Sequence, residues 1–288
     1  MTFSIVACDL QAQAWGVAVA SKFPAVGAVV PWAQAGAGAL ATQSYANLSY
    51  GPRGLEMLSA GLSAQETLSR LLADDPQREM RQVGLVDAHG QAVTFTGLEC
   101  HAWAGGQIGP GFAVQGNILA GAEVIESMAQ TFLKTGGALP ERLWQALLAG
   151  DRAGGDRRGR QSAAIYVVKP EGGYGGYLDR WIDYRVDDYP DPVARLGELL
   201  EMHALYFGKS PQEDRVRLEG DTLRHLQRIM QAADGYAGPL HGILDAETRA
   251  ALTAFIGREN FEERCDVQAG WIDRPVLDFL ARRFGAPG

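Results

Sequence analysis

The sequence predicts an α+β protein in which two stacked sheets lie between helical layers, followed by a smaller helical domain. Three observations carry that reading. Runs with strand character form antiparallel hairpins that alternate with pairs of helical segments, a pattern of packed layers rather than of a doubly wound parallel sheet. Residues 1–60 hold only four charges, Asp9, Lys22, Arg53 and Glu56, as a sheet protected on both faces requires. Residues 213–288 hold ten Arg and thirteen Asp or Glu, as small amphipathic helices with wet faces do. With 288 residues, 47% of them hydrophobic and 21% charged, the chain exceeds one average domain and has the apolar content for a substantial core.

The elements follow in order. Thr2 to Cys8 and Ala14 to Ala20 are β-rich runs joined by the polar segment Asp9 to Gln13, a hairpin. Val26 to Gln34 and Gly38 to Gln43 continue as strands. Gly51 to Ala60 and Ser63 to Ala73 then show helical spacing, the second opened by the capping box of Ser63 and Glu66. Arg81 to Asp87 and Gln91 to Thr96 flank His89-Gly90 as a hairpin. Strands near Trp103 to Ile108 and Phe112 to Gln115 precede helices at Ala122 to Lys134 and Pro140 to Ala149. Gln161 to Val168 and Arg180 to Val186 are further strands, and Pro192 suits the first turn of a helix reaching Tyr206. The polar, proline-containing Gly208 to Glu213 reads as a linker, which sets domains at 1–209 and 213–288.

Composition removes several function classes. Lys and Arg total 26 against 34 Asp and Glu, a net charge of −8 that repels phosphate backbones and anionic lipid surfaces, so no nucleic-acid or membrane partner is expected. Cys8, Cys100 and Cys265 neither pair closely nor take ligand spacing, and the five histidines are scattered, so a reducing, cytoplasmic setting and no metal or other cofactor are expected. The thirty uncharged residues between Lys22 and Arg53 are broken by Pro24, Pro31 and several glycines, and Asp9 interrupts the start, which reads as buried strand rather than a signal or membrane span.

Thr2 follows Met1, and its small side chain is of the kind that permits methionine removal. A terminal threonine would hold nucleophile and base in one residue, because its α-amine has an ordinary pKa of about 7.7 to 8.0 and can take the hydroxyl proton. The plainer reading is a threonine that begins a strand.

Specific strings add to this. Met1 to Ala7 (MTFSIVA), Gly16 to Phe23 (GVAVASKF), Val26 to Ala33 (VGAVVPWA) and Gly38 to Gln43 (GALATQ), with Tyr50 to Leu55, Arg81 to Gly84, Val114 to Leu119 and Gly154 to Ala163, resemble an uncharacterised bacterial family, domain of unknown function 1028. That family is regarded as similar to N-terminal nucleophile (Ntn) hydrolases, and the resemblance covers roughly residues 1–209. It implies a four-layer αββα sandwich like the proteasome β-subunit, with Thr2 as nucleophile, Asn117 stabilising the oxyanion and Asp156 holding the terminal residue. Ser21, Gln43, Gly116, Arg157, Arg160 and Ser162 are the implied substrate-binding residues. Gly116-Asn117 reads as a loop between a strand and a helix, where N–H groups point outward, against the plainer role of a capping Asn. Asp156 can orient the amine or pair with Arg157, Arg158 or Arg160, and those arginines can grip a substrate carboxylate or simply form a solvated salt-bridged loop. This chain departs from the proteasome pattern: no acid stands at Ser21-Lys22, and no clear counterpart of the proteasome's next-strand lysine is found.

Gly36 to Ala41 fits a dinucleotide fingerprint with Glu56 downstream, but no helical stripe opens at the glycines. Tyr174, Tyr177, Trp181, Tyr184 and Tyr189 read as cleft lining, core or dimer contact.

In the last 76 residues, Asp221 and Asp245 are candidate caps for helices bearing Leu223, Leu226, Ile229 and Met230, then Ala251, Leu252, Phe255 and Ile256, and Pro275 begins a third with Leu277, Leu280 and Phe284. The string Leu226-Gln227, Gly235-Tyr236, Gly238 to Ile243 (GPLHGI) and Thr248 to Leu252 resembles the small peptidoglycan-binding domain appended to cell-wall enzymes. It implies a glycan or peptidoglycan-fragment partner, although His241 stands where that family usually has Asp. The functional expectation is therefore an Ntn-type amidohydrolase acting on a small amide or peptide-like substrate. The alternative is a non-catalytic binding or scaffold protein, a homodimer for example, that associates through its helical module.

Overall fold

A computed structural model describes residues 2–285; Met1, on whose removal a terminal Thr2 depends, lies outside them. The chain is a mixed α/β protein of antiparallel sheets and helices, and its contacts divide it after Leu200.

The first unit runs β1 (Thr2–Asp9), β2 (Ala14–Ser21), β3 (Pro31–Gln34), β4 (Gly38–Gln43), α1 (Tyr50–Ser59), α2 (Ala64–Ala73), β5 (Gln82–Asp87) and β6 (Ala92–Thr96). It continues with β7 (Gly105–Gly109), β8 (Phe112–Asn117), α3 (Glu123–Lys134), α4 (Leu139–Arg152), β9 (Ser162–Val168), β10 (Arg180–Val186) and the start of α5 (Pro192–Phe207). The expected capping box is formed, Ser63 and Glu66 exchanging both bonds at the start of α2. The expected strand from Val26 is not. A 3₁₀ turn occupies Val26–Ala28, entered through Ala25 at φ 50°, and β3 begins only at Pro31, which has no N–H to give and so suits a first strand position.

Two antiparallel sheets result, one of six strands in the order β10-β9-β2-β1-β8-β7 and one of four, β3-β4-β5-β6. Strand alternation assigns each residue to a face. Phe3, Ile5 and Ala7 of β1 pack on Val124, Met128 and Phe132 of α3 and Leu143 and Leu147 of α4. Leu40 of β4 and Val83 and Leu85 of β5 pack on Tyr50, Leu58, Leu68 and Leu71 of α1 and α2. The opposite faces meet each other: Val6, Cys8, Val17 and Val19 of the larger sheet lie against Ala39, Ala41 and Val86 of the smaller.

The second unit contains α6 (Gly220–Asp234), α7 (Ala246–Arg258) and α8 (Arg274–Phe284), with a small sheet of β11 (Arg215–Arg217), β12 (Cys265–Asp266) and β13 (Trp271–Asp273) in the order β11-β13-β12. That sheet was not expected, because strands of two or three residues are too short for periodicity to register. Asp245 caps α7 through the Thr248 N–H at 2.8 Å, as expected. Asp221 does not cap α6: it lies inside the first turn and bonds Arg224, while Glu219 stands at the cap position. The core joins Leu223, Leu226, Leu252, Phe255, Ile272 and Leu280. Arg264 is buried with its Nε on Asp273 Oδ2 at 2.6 Å and its Nη1 on the carbonyls of Ala204 and Leu205.

Candidate functional site

The inter-sheet layer changes character along its length. On β1 the inward positions read Thr2, Ser4, Val6, Cys8; on β8 they read Asn117, Gln115, Ala113; on β4, Gln43, Ala41, Ala39; on β5, Gln82, Gly84, Val86. Register aligns the polar ends, pairing Thr2 with Asn117, Ser4 with Gln115 and Gln43 with Gln82. One end of the layer is therefore hydrophobic and the other is built from amides and hydroxyls, all buried.

These groups satisfy one another. Gln82 Oε1 accepts from Gln43 Nε2 at 2.8 Å and from Asn117 Nδ2 at 2.9 Å, while Gln82 Nε2 donates to the Gly116 carbonyl at 2.7 Å and to Thr96 Oγ1 at 2.9 Å. Ser4 Oγ receives Gln115 Nε2 at 2.7 Å and donates to Gln43 Oε1 at 2.8 Å. Gln43 Nε2 also lies 3.3 Å from the Thr2 carbonyl. Gly84 makes room for this: a Cβ there would stand 2.0 Å from Gln115 Oε1.

Thr2 sits at the start of the central strand β1, 6% exposed, with its hydroxyl 3.2 Å from Ser21 Oγ at the end of β2. Asp156 reaches the same corner from the loop after α4. Its carboxylate accepts the Lys22 N–H and the Arg158 N–H, each at 2.8 Å. Arg158 Nη2 approaches the same carboxylate at 3.2 Å, whereas Arg160 pairs with the buried Asp151 at 2.8 Å, a bond that raises the Arg160 pKa. Ser162 accepts the Val26 N–H at 3.1 Å and donates to the Phe23 carbonyl.

Two hollows flank this corner. A cleft of about 410 Å³ is lined by Thr2, Gln43 and Asn117 with Phe23, Val26, Val29, Val30, Tyr45, His101, Ile118 and Arg158 among others. A second, of about 380 Å³, is lined by Ser21, Asp151, Asp156, Arg160 and Ser162 with Phe3 and Val193 among others. Gly116 and Arg157 line neither, Gly116 entering the network only through its carbonyl. The cleft wall is conformationally strained: Ser44, Tyr45 and Ile118 all hold φ between 50° and 58°, a region that non-glycine residues adopt at a cost of about 1 kcal/mol or more. Arg81 holds Tyr45 in place, donating to its carbonyl and, at 3.0 Å, to Asp75 Oδ2, which also takes Asn47 Nδ2 at 3.1 Å and the Tyr50 hydroxyl at 2.9 Å. Burial pushes the Asp75 carboxyl up, but the bonds from Arg81, Asn47, the Gln77 N–H and Tyr50 outweigh it and hold it well below the usual carboxylate range.

Several expectations need correction. Gly116 and Asn117 are not a loop before a helix but the last two residues of β8, with five residues between them and α3. The Asn117 amide, 1% exposed, gives one hydrogen to Gln82 and has a second. Of the three arginines thought able to grip a carboxylate together, Arg158 and Arg160 are drawn to different aspartates. The dinucleotide fingerprint forms no such site, as the missing helical stripe indicated: Gly38–Gln43 is a strand. Tyr174 and Tyr177 are solvent-exposed, while Trp181 and Tyr184 pack against the helix-side core. His241 is engaged locally, its Nε2 3.0 Å from Asp245 and its Nδ1 accepting the Ile243 N–H at 3.1 Å. Sequence reading missed Ser4, Gln82 and Gln115; the signal was a polar residue at an inward strand position. Among the described residues no helix is long and apolar enough to cross a membrane.

Comparison with known proteins bears on both units. Residues 2–196 match the model described as a family of unknown function (DUF1028), and residues 206–280 match that described as "Putative peptidoglycan binding domain". No curated protein matches. Among solved structures, the DUF1028 protein SPO2555 from Silicibacter pomeroyi is similar with a TM-score of 0.64 and 28% identity, covering 70% of this chain and 89% of that one. Anbu (ancestral beta-subunit) from Yersinia bercovieri is similar only at a TM-score of 0.30 and 13% identity, over 73% of this chain and 100% of that one, a likeness too weak to carry any inference.

Proposed function

Because the chain belongs to the DUF1028 family over residues 2–196, and its Thr2 faces a cleft at the polar end of two stacked sheets, we propose that it is an Ntn-type amide hydrolase acting on a small substrate. The observation that carries the reading is the position of Thr2: first in a central strand, hydroxyl against Ser21, on the floor of the cleft beside Asn117. In this reading helices, sheet, sheet and helices form the four-layer αββα sandwich.

The chemistry needs the Thr2 amine freed by cleavage on its amino side. The amine takes the proton from Oγ, Oγ attacks the amide carbonyl, and the second Asn117 N–H donates to the oxyanion. The proton passes from the ammonium to the leaving amine, and water then hydrolyses the Thr2 ester and restores the hydroxyl. Ser21 orients the nucleophile, and Asp156 fixes the Ser21-Lys22 corner by holding the Lys22 N–H.

The test is the intact mass and N-terminal peptide of untagged protein, followed by an amide panel with a Thr2→Ala control. A dominant species beginning with unmodified Thr2, and turnover that Thr2→Ala lowers by 10³-fold or more, is the expected result. Retention of Met1 on essentially all of the active protein overturns the mechanism.

A second reading concerns residues 206–280 alone, where the match to a peptidoglycan-binding model supports a glycan partner. Co-sedimentation of the full chain with purified peptidoglycan checks it; a chain that stays wholly in the supernatant removes that partner.

A further inference from the structure

The six-stranded sheet is wider than the four-stranded sheet it faces, and the surplus falls at one edge. β3, the outer strand of the smaller sheet, packs over β2 and β9, so β10 projects beyond it as a ledge. A register shift between Arg180 and Ile182 resets the strand alternation there. Arg180, Asp183 and Arg185 therefore stand opposite Val168, Tyr166 and Ala164, on the face that elsewhere meets the smaller sheet. Beside them lies a hollow of about 290 Å³, completed by Trp32 of β3 and Leu55 of α1 among others. It shares no lining residue with the Thr2 cleft, although the 3₁₀ turn at Val26–Ala28 borders both.

Two polar side chains of this hollow have no partner among the described residues. Neither the Arg185 guanidinium nor the Tyr166 hydroxyl makes a hydrogen bond, ion pair or ring contact with them, although both residues line the hollow. They are diagonal neighbours on one face of the β9–β10 pair, within reach of a single bound group. Arg185 is also held at its stem. A Cβ on Gly27 would stand 2.7 Å from Arg185 Cδ and 2.8 Å from its Cγ, so the bare backbone of the turn lies along the side chain, and less freedom is lost when its head is bound. Arg180, by contrast, is drawn to Asp183 at 3.5 Å, which leaves one net positive charge on the ledge. A charge at an inward edge position also discourages a further strand from adding, but that protection requires neither the hollow nor an unpartnered phenol beside the cation.

We infer that this ledge binds a small organic monocarboxylate, its carboxylate on the Arg185 guanidinium and the Tyr166 hydroxyl and its apolar body against Trp32 and Leu55. A planar guanidinium meets a carboxylate with two parallel donors, and the phenol adds another. One net charge favours a monoanion over a phosphate dianion. Apart from Tyr166 and the three charged residues the lining is apolar, which suits a hydrocarbon or aromatic body. The site does not depend on the hydrolase reading, since no residue of the Thr2 corner belongs to it.

The experiment follows the nitrogen–proton NMR signal of the Trp32 indole, identified by its loss in Trp32→Phe, while the full chain is titrated at low salt and pH 7. The probes are sodium benzoate, its neutral counterpart benzamide, and inorganic phosphate. Benzoate shifts that signal saturably, with a dissociation constant of about 5 mM or tighter. It binds about tenfold tighter than benzamide and tighter than phosphate, and its advantage over benzamide shrinks as sodium chloride is raised. Arg185→Met removes that advantage while leaving benzamide binding within about twofold, Arg185→Lys keeps part of it, Tyr166→Phe weakens benzoate by about threefold, and Thr2→Ala changes nothing. Should Arg185→Met fail to fold, the lysine variant and the salt series decide. A weaker constant or no saturable shift, equal binding of benzoate and benzamide, phosphate bound as tightly as benzoate, an advantage indifferent to salt, or one that survives Arg185→Met overturns the proposal.

Discussion

The same two sheets meet at both ends of one layer, yet the ends obey different rules. At the Asp9 end, Val6, Cys8, Trp15, Val17, Val19 and Val86 make an ordinary dry core, where stability grows with area removed from water. At the Thr2 end, Ser4, Gln43, Gln82, Gln115 and Asn117 occupy equivalent inward positions and are equally buried. A buried amide gains little over its bonds to water when satisfied and costs about 1–3 kcal/mol when not, so this end adds less stability than the valines would. What it does add is fixed direction. Gln43, Gln82 and Gln115 are each held by two or more partners and Asn117 by Gln82, and the strand register then aims Thr2 and Asn117 at one cleft. The contrast teaches that the polar end is shaped for a purpose other than cohesion.

The largest effect is expected from Gln82→Leu. It strands Asn117 Nδ2 and removes one partner each from Gln43 Nε2, the Gly116 carbonyl and Thr96 Oγ1, and should cost about 4 kcal/mol in chemical denaturation, with loss of cleft binding. Val17→Ala at the dry end should cost about 2 kcal/mol and leave cleft binding unchanged. If Gln82→Leu proves the milder of the two, the amides are only filler and the distinction between the ends collapses.

Most of the architecture was legible because its signals are local. The hairpin at His89-Gly90, the Ser63 and Glu66 box and Pro192 at the start of α5 are each written in neighbouring residues. The site was legible only through Thr2 and the resemblance. Gln82 and Gln115 are 33 residues apart in sequence and become partners in one network only when β5 faces β8, which no window of sequence contains. Their strands nevertheless carry the clue, since QVGLVD and FAVQGN place Gln, Gly and Val or Ala, Gln and Asn on one face. The loop misreading at Asn117 has a similar cause: Gly116-Asn117 has turn chemistry, and pairing with Thr2 and Phe3 across the sheet overrides it.

A smaller effect comes from Gly84→Ala, at the border between the two ends. The added methyl cannot occupy the space of Gln115 Oε1, 2.0 Å from its ideal position, so the amide must swing away from Ser4 or the sheets must part. Destabilisation of about 1–3 kcal/mol is expected, and Gly84→Ala combined with Gln115→Ala should recover part of it. A double-mutant cycle with no coupling would show that the crowding lies elsewhere.

The smallest effect, and the most specific, is acid sensitivity at the outer wall of the polar end. Asp75 anchors Arg81, which in turn holds the left-handed Tyr45 at the cleft rim. Its folded-state pKa is depressed, so folding favours the ionised form. The stability this contributes is fully present above the unfolded value of about 3.9 and is lost as pH falls below it towards the folded value. Asp75→Asn should therefore melt a few degrees below the parent at pH 6, and the gap should narrow as pH falls from about 4 to 3 and the parent loses its advantage. Val17→Ala supplies the contrast, because Val17 packs in a hydrophobic cluster and its deficit should not close in that window. A deficit for Asp75→Asn that stays constant from pH 6 to pH 3 would mean that shape rather than charge secures the rim, and the wall of the cleft would then belong with the dry end in its physics.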